Sequence, residues 1–529
     1  MSVLDRYALS RRRLLGVFGA SAVTALAIPL ESGKALAQVG FRSYPFQLGV
    51  ASGDPAPDGF VIWTRLAPEP FEIGYGMPMA PVAVEWEVAD AANMRTIVAK
   101  GTAIAPPELG HAVHVEVGGL QPGRDYWYRF TVGKERSIVG RARTTPALGA
   151  TLDRVRFAVS GCQHYESGYY TAYRRLAEDN PDFVFCYGDY IYEGRGNRMY
   201  TGAGGPNENV RQHFGGEIYA LDDYRRRYAQ YKMDTDLQAA HAAAPWFTVW
   251  DDHEIDNNWV GDLDQDGVDP KLFNLRRQAA VQAYYENMPL RASSFPVGTS
   301  MQIYRRAAYG QLLNLNLLDT RQYRTDQPCG DKYGASCAEI DAPKAQVVGE
   351  AQEKWLNDGL TGSKATWNVI AQQIMMMDLD RQPEAGRNVN PDSWAGYSIP
   401  RARLLKTIRD RKVGNVVVLT GDEHQNFAGD LYLNGAKAEG APIASEFVVT
   451  SITSGGDGND QRPDMAKLQA ANPILKFNNN QRGYAICDVT PKAFTTEFKV
   501  LDSVRRTDGK LSTRAKWALE AGKTGIVQA

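Results

Sequence analysis

Four short segments of the chain contain most of the side chains that could bind a metal ion. Each follows a predicted strand, and in chain order they are Ser160-Gly161-Cys162-Gln163-His164, Gly188-Asp189-Tyr190-Ile191-Tyr192-Glu193, Trp250-Asp251-Asp252-His253-Glu254-Ile255-Asp256-Asn257-Asn258-Trp259 and Gly421-Asp422-Glu423-His424-Gln425. Carboxylates are rarely buried without a partner or a cation, so carboxylates at the ends of apolar strands are informative. A single Asp-x-His segment is most simply a solvated loop, but the set predicts a clustered metal site.

Several other catalytic and binding motifs are absent or incomplete. The chain contains no G-x-S-x-G elbow and no G-x-x-x-x-G-K-[ST] phosphate loop, which argues against a serine hydrolase and an NTPase. The stretch Asp262–Gly267 begins like an EF-hand loop, but its twelfth position is Phe273 rather than Glu. His253 and Glu254 lack the second histidine of a zincin helix.

The composition indicates an ordinary globular protein. The 529 residues are 43% hydrophobic and 23% charged, and the formal net charge is −2. This balance offers no basic excess for binding nucleic acid. Five cysteines are too few for a disulfide framework, but Cys329 and Cys337 lie close together in a Gly/Asp-rich loop and are the natural pair. Cys186 and Cys487 are expected to be core thiols.

Strands and helices alternate from about residue 155 onward. Continuous apolar runs predict buried strands over Val155–Val159, Asp182–Tyr187, Trp246–Trp250, Leu312–Leu318, Trp367–Ala371 and Val416–Thr420. Helices are expected over Tyr170–Ala177, Asp222–Tyr231, Asn274–Glu286, Gln346–Gly359 and Arg401–Arg411. The alternation predicts a layered α/β domain, with polar site residues just past the carboxyl ends of its strands.

The region before these elements is expected to be all-β. Val82, Val84, Trp86 and Val88 alternate with less apolar residues, and Pro/Gly turns separate the predicted strands. The region resembles a small fibronectin-III-like sandwich, for which a packing role is the simplest. The chain is therefore divided into a signal segment over residues 1–37, a β-sandwich domain over 38–148 and a larger α/β domain over 149–529.

The N-terminus resembles a twin-arginine (Tat) export signal. Ser10-Arg11-Arg12-Arg13 precedes an uncharged stretch that ends at Leu30, and Ala35-Leu36-Ala37 forms a cleavage-like site. The alternative is a membrane anchor, but the small residues and Pro29 make this stretch a poor membrane span. We expect export by the Tat machinery to the periplasm or the medium, without a stable membrane span.

The four segments resemble the motifs of the PhoD-like alkaline phosphatases, a family of the metallophosphoesterase superfamily. The matching motifs stand in order as Ser-Gly-Cys-Gln, Gly-Asp-Tyr-Ile-Tyr-Glu-Gly, Trp-Asp-Asp-His-Glu-x-x-x-Asn and Gly-Asp-Glu-His. The resemblance implies a metallophosphoesterase-like β-sandwich flanked by helices, with residues 149–529 as its catalytic domain. It also implies hydrolysis of phosphate monoesters and diesters by attack of a metal-bound oxygen, with release of inorganic phosphate.

The resemblance further implies a cluster of one Fe(III) and two calcium ions. Its iron ligands are matched by a thiolate, a bridging carboxylate, a phenolate and an imidazole, at Cys162, Asp189, Tyr192 and His424. Thiolate and phenolate suit ferric iron better than magnesium, whereas calcium prefers oxygen ligands. The oxygen ligands implied for calcium are Asp252, Asn258 and Asp422, and Asp251 competes with Asp252 for that assignment.

Two further side chains are implied near the substrate. His253 is implied as a substrate contact or an acid, with Glu254 to orient it, although a purely supporting hydrogen-bonded histidine is an equal alternative. Arg321, or otherwise Arg324, could clamp a phosphate because a guanidinium matches it bidentately. The alternative for both arginines is an internal ion pair, with Asp319 or Asp326 as the partner.

Two other functions are compatible with these motifs. The first is a phospholipase-D-like phosphodiesterase on the same scaffold, because loops decide between a monoester and a diester. The second is a non-catalytic metal- or phosphate-binding protein of the cell envelope. Comparing the hydrolysis rates of a monoester, a diester and a phospholipid distinguishes the first alternative from a phosphatase. Binding of metal or phosphate without turnover would favour the second alternative.

Overall fold

The computed structural model describes residues 40–195, 209–334, 336–381 and 387–529. The predicted Tat segment over residues 1–37 lies outside the described residues, and so does most of the predicted loop over 194–216. Within the described part of the chain, no helix is both long enough and apolar enough to cross a membrane.

The described chain contains 22 strands and seven α-helices. The strands of the first part are β1 (Val50–Ala56), β2 (Gly59–Arg65), β3 (Val82–Ala89), β4 (Ile97–Ala105), β5 (Ala112–Val117), β6 (Asp125–Val132), β7 (Glu135–Arg136) and β8 (Gly140–Arg143). The strands of the second part are β9 (Val155–Ser160), β10 (Phe183–Cys186), β11 (Pro245–Thr248), β12 (Arg305–Tyr309), β13 (Leu313–Leu317), β14 (Trp367–Ala371), β15 (Val416–Thr420), β16 (Asn426–Leu431), β17 (Ala444–Val448), β18 (Leu475–Asn479), β19 (Gly483–Val489), β20 (Ala493–Leu501), β21 (Leu511–Glu520) and β22 (Val527–Gln528). The helices are α1 (Thr171–Glu178), α2 (Leu221–Lys232), α3 (Thr235–Ala243), α4 (Pro270–Asn287), α5 (Gly349–Gly362), α6 (Ser398–Asp410) and α7 (Met465–Ala471).

Two mixed sheets form the body of the second part. One has ten strands in the order β22-β21-β20-β19-β9-β10-β11-β1-β2-β5, and the other has seven in the order β12-β13-β14-β15-β17-β16-β18. The strands β9, β10 and β11 run parallel to one another, as do β13, β14, β15 and β17. Each predicted buried strand is present, and the prediction of an α/β sandwich is confirmed.

The alternation of side chains along β15 shows how the layers pack. Val417 and Leu419 enter the core between the two sheets, whereas Val416 and Val418 face a second core that includes residues of α5 and α6. Successive strand residues point to opposite faces, so a wholly apolar strand requires cover on both sides. The seven-stranded sheet is therefore buried between the other sheet and a helical layer.

The N-terminal strands do not form an isolated body. The strands β3, β4, β6, β7 and β8 make a separate sheet, but β1, β2 and β5 belong to the ten-stranded sheet, where β1 pairs in parallel with β11. A shared apolar core joins the two groups of N-terminal strands. The all-β character is present, while the fibronectin-III-like classification stays a prediction.

Tyr187, directly after β10, lies between two glycines of the candidate metal-binding segments. Its hydroxyl donates a hydrogen bond to the carbonyl of Thr450 at 2.8 Å. A Cβ on either Gly161 or Gly421 would lie closer than 3.0 Å to the Tyr187 ring. Neither glycine has a left-handed backbone, so backbone conformation does not explain why the two residues are glycines. The Tyr187 ring explains it, because it leaves no room for a side chain at either position.

Replacing Gly421 with alanine is expected to destabilise the protein by about 1–3 kcal/mol, because the methyl group overpacks against Tyr187. The matched control is Gly414→Ala, before β15, where an added Cβ would meet no described atom within 4 Å. Denaturant unfolding of the two variants measures the difference. Equal unfolding free energies for both variants would contradict the packing argument.

Candidate metal centre

The ends of four strands bring the predicted ligands into one pocket. Cys162 follows β9, Asp189 follows β10, Asp251 follows β11, and Asp422 follows β15 of the opposite sheet. Among the described residues, four groups of possible ligands have ligand atoms that all lie within 4.8 Å of one another, and three of the groups contain predicted ligands, whereas the fourth is His164, Glu166 and His213. The three groups with predicted ligands are Cys162, Asp189 and His424; Asp189, Asp252 and His253; and Asp251, Asp252 and Asp422. Asp189 and Asp252 each belong to two groups, so these three groups form one continuous cluster.

Tyr192 completes the thiol side of this cluster. Its hydroxyl donates to Asp189 Oδ2 at 2.8 Å and lies 3.2 Å from His424 Nε2. The hydroxyl of Ser454 lies 2.6 Å from the same phenol oxygen and 2.7 Å from the carbonyl of Cys162. The phenol oxygen is therefore held among the predicted iron ligands.

Five of the predicted ligand residues have a left-handed backbone. Their φ values are 51°, 52°, 52°, 63° and 53° at Cys162, Asp189, Asn258, Asp422 and His424. This conformation costs a residue other than glycine about 1–3 kcal/mol and persists where the surrounding structure enforces it. The turns after β9, β10 and β15 bring Cys162, Asp189, Asp422 and His424 to the pocket, so part of the backbone strain of the chain lies at the site.

The charge balance of the pocket fits a bound cation. Burial raises the pKa of Asp251 well above its usual value, and the nearby carboxylates of Asp252 and Asp189 raise it further against the opposing effect of Arg321. Burial and the carboxylates of Asp251 and Asp392 likewise raise the pKa of Asp422. Among the described residues, no donor hydrogen-bonds Asp251 Oδ2, although this atom is buried. A cation would satisfy that oxygen and remove the repulsion.

The environment of the Cys162 thiol also favours a bound cation. Burial raises its pKa well above the usual range, and the carboxylates of Asp189, Asp422 and Asp251 add to the effect. An unassisted thiolate is therefore unfavourable here, whereas a coordinated cation deprotonates a thiol outright. The donor set of thiol, phenol, imidazole and carboxylates fits a metal centre.

Arg321, predicted as a phosphate clamp, is instead buried in ion pairs. Its Nε donates to Asp251 Oδ1 at 2.6 Å, and its Nη2 lies 2.9 Å from Asp392 Oδ2 and 3.5 Å from Asp252 Oδ1. The side chain is 0% exposed. Arg324 pairs with the same Asp392 at 3.0 Å. The structure agrees with the alternative of an internal ion pair, but the partners of Arg321 are Asp251, Asp252 and Asp392 rather than Asp319 or Asp326.

His253 is oriented by a carboxylate other than the predicted one. Its Nδ1 lies 2.7 Å from Glu193 Oε2, and its ring packs on the Tyr192 ring with centroids 4.1 Å apart. Burial would lower the pKa of His253, but the carboxylates of Glu193 and Asp252 outweigh it and raise the pKa well above its usual value. The prediction that Glu254 orients His253 is therefore wrong. Glu193 directly follows Tyr192 in a ligand-bearing segment, and this position could have indicated that Glu193 lies near the site.

Glu254 instead connects the turns that carry the ligands. It is fully buried, and its carboxylate accepts hydrogen bonds from the backbone N–H groups of Asp189 at 3.1 Å, Tyr190 at 2.6 Å and Asp251 at 2.9 Å. One side chain thus holds the turns after β10 and β11 together. Sequence reasoning missed this role because the three donors are backbone groups, which leave no trace in the residue types.

The isosteric change Glu254→Gln is expected to destabilise the fold by about 2–4 kcal/mol, because an amide NH₂ would face backbone donors that need an acceptor. The loss is expected in thermal or denaturant unfolding. A suitable control is Glu178→Gln, which removes a carboxylate from the exposed pair with Arg175. An equal effect of the two changes would contradict the proposed role of Glu254.

Comparison with known proteins identifies the family of the chain. The family model for the PhoD-like phosphatase matches residues 157–498, and the model for the PhoD-like phosphatase N-terminal domain matches residues 33–146. The chain is 46% identical over 486 residues to alkaline phosphatase D of Bacillus subtilis (strain 168), covering 92% of this chain and 82% of that protein. A solved structure of PhoD matches with a TM-score of 0.90 and 46% identity over 93% of each chain. The chain belongs to the PhoD-like phosphatase family.

Proposed function

We propose that the protein is an exported, metal-dependent phosphoesterase that hydrolyses phosphate monoesters, releasing inorganic phosphate, and also phosphate diesters. The observation that carries the proposal is the continuous cluster of ligand groups that share Asp189 and Asp252. Membership of a phosphatase family favours a hydrolase over the non-catalytic binding protein that the motifs alone left open.

The donor types support a mixed iron and calcium centre. The thiol of Cys162, the phenol of Tyr192 and the imidazole of His424 would hold Fe(III) together with Asp189, because ferric iron suits strongly donating ligands. Two calcium ions would take the oxygen ligands, which are Asp251, Asp252, Asn258 and Asp422. When bound, these cations would act as Lewis acids on the phosphoryl group and offset the charge of the transition state.

The residues of the chain would supply orientation and a proton. The ion pairs of Arg321 hold the carboxylates of Asp251 and Asp252 in place. Glu193 holds Nδ1 of His253, and its carboxylate favours the protonated form of the imidazole. His253 would therefore donate a proton from Nε2 to the leaving oxygen of the ester.

Export and domain division remain part of the proposal. The serine, arginine and apolar pattern of residues 1–37 supports Tat export. Residues 38–148 would be the N-terminal β-domain, with the separate sheet of β3, β4, β6, β7 and β8 as its fibronectin-III-like part, and residues 149–529 would be the catalytic domain. Changing Arg11, Arg12 and Arg13 to lysine is expected to keep the precursor in the cytoplasm, as cell fractionation would show. Unchanged export would contradict a twin-arginine signal.

Rates on three substrates test the proposed activity. Metal-replete protein is expected to hydrolyse p-nitrophenyl phosphate and bis(p-nitrophenyl) phosphate faster than a phosphatidylcholine dispersion. A preference for the dispersion would support the phospholipase-D-like alternative instead. No turnover of any of the three by metal-replete protein would contradict the proposal.

A further inference from the structure

We propose that Asp331, in a disulfide-closed loop, positions the side-chain amide of Asn258 for calcium at the candidate metal centre. The inference rests on the proposed function, because that function assigns Asn258 to a calcium ion. Asp331 is a positioning residue: it acts through Asn258.

Three polar groups of Asn258 are engaged by neighbours. Its backbone N–H donates to Asp252 Oδ2 at 2.9 Å, and its backbone carbonyl accepts from Gln327 Nε2 at 2.7 Å. Its amide Nδ2 donates to Asp331 Oδ2 at 2.6 Å. Because the amide nitrogen is turned toward Asp331, the amide oxygen is the atom left to face a cation. Without the acceptor at Asp331, the amide could turn over and present NH₂, which cannot bind calcium.

The backbone that carries Asp331 needs an external constraint. Cys329, Gly330 and Asp331 are three consecutive left-handed residues, with φ values of 61°, 60° and 54°. Such a run is strained at the two residues that are not glycine, so the surroundings must enforce it. The Cys329–Cys337 disulfide closes the loop, and Glu339 accepts a hydrogen bond from the Cys329 N–H at 2.7 Å. The disulfide and this hydrogen bond therefore hold the carboxylate of Asp331 in place.

The residue Gln327, just before the disulfide-closed loop, is attached to the ion-pair network of the site. Gln327 Nε2, which donates to Asn258, also lies 2.8 Å from Asp392 Oδ1. Asp392 pairs with Arg321, which in turn holds Asp251. Gln327 thus binds the backbone carbonyl of Asn258, and Asp331 binds its side-chain amide. Both residues belong to one short segment outside the four ligand-bearing segments.

Calcium titration of the thermal unfolding midpoint tests the proposal without using activity. The full-length protein is stripped of calcium with EGTA, its iron content is measured, and CaCl₂ is added back. Asp331→Gly keeps the left-handed backbone and removes only the carboxylate. It is expected to raise the calcium concentration for half of the thermal shift about tenfold or more, the usual effect of losing a residue that orients a metal ligand.

Three further variants make the test specific. Asp331→Asn retains an acceptor oxygen and a tolerated left-handed backbone, so it is expected to restore most of the calcium response. The double change Cys329→Ser and Cys337→Ser is expected to weaken the response as Asp331→Gly does. The control is Asp341→Ala, an exposed carboxylate beyond the disulfide that accepts from Ser398, which is expected to respond like the wild type. Iron content is expected to be unchanged in every variant.

The outcomes separate this proposal from the proposed function. If the wild type and Asp331→Gly show the same calcium-dependent shift of the unfolding midpoint, only the positioning role is overturned. A weakened response in Asp341→Ala as large as that in Asp331→Gly would also overturn it. A wild type without any calcium-dependent shift would overturn both this role and the assignment of calcium.

Discussion

Treatment with EDTA is expected to lower the rate of phosphoester hydrolysis by about a thousandfold or more, because bound cations contribute several kcal/mol of transition-state stabilisation. The pocket contains the buried carboxylates of Asp189, Asp251, Asp252 and Asp422, and the guanidinium of Arg321 pairs with two of these, Asp251 and Asp252. Without cations, the burial and the mutual repulsion that raise the pKa values of Asp251 and Asp422 are not offset, and no Lewis acid faces the phosphoryl group. Release of p-nitrophenol from p-nitrophenyl phosphate measures the loss.

Add-back of metals distinguishes the two kinds of site. Calcium is expected to restore activity after EGTA, while iron stays bound to its thiolate and phenolate ligands. Chelated protein that contains neither metal yet hydrolyses the ester at the full rate would contradict a metal mechanism. Visible absorption adds an independent signal, because a tyrosinate bound to ferric iron is coloured. A colourless protein with stoichiometric iron would count against Tyr192 as an iron ligand.

The change Asp189→Asn is expected to reduce hydrolysis by about a thousandfold, because one carboxylate belongs to two ligand groups and its loss weakens both metals. The variant keeps the shape of the side chain and can still accept a hydrogen bond from Tyr192, whose hydroxyl lies 2.8 Å from Oδ2. Stability is expected to change little compared with the loss of iron and calcium. Metal analysis beside the rate assay measures both effects.

Asp153→Asn is a suitable control for Asp189→Asn, because it neutralises an exposed aspartate just before β9. It is expected to keep full activity and full metal content. Normal iron and calcium content in Asp189→Asn would show that Asp189 does not bridge two metals. Equal activity losses in the two variants would show that the effect is not specific to the pocket.

The strands and the ligand-bearing turns could be predicted because their signals are local. Apolar runs such as Val416–Thr420 mark a buried strand, and the polar residues directly after it, such as Asp422 and His424, lie at its carboxyl end by necessity. Because parallel strands end at the same edge of a sheet, convergence of the turns after β9, β10 and β11 follows from the topology. The pairing of Cys329 with Cys337 was likewise visible as proximity in sequence.

The supporting contacts could not be predicted, because they join segments without a periodic pattern. Asp392 lies in a loop after β14, and nothing in its neighbours indicates that it pairs with Arg321. The backbone groups that Glu254 accepts from are invisible in residue types. Only the folded chain shows that Glu193, rather than Glu254, faces His253.

The parallel pairing of β1 with β11 has a consequence for how the chain can be shortened. A fragment that begins after the N-terminal strands would leave β11 as an unprotected edge, with unpaired N–H and C=O groups along the strand that leads to Asp251. Such an edge recruits other chains, so a truncated catalytic fragment is expected to aggregate rather than to remain a smaller enzyme. The N-terminal strands therefore cover the edge of the sheet that carries the candidate metal centre.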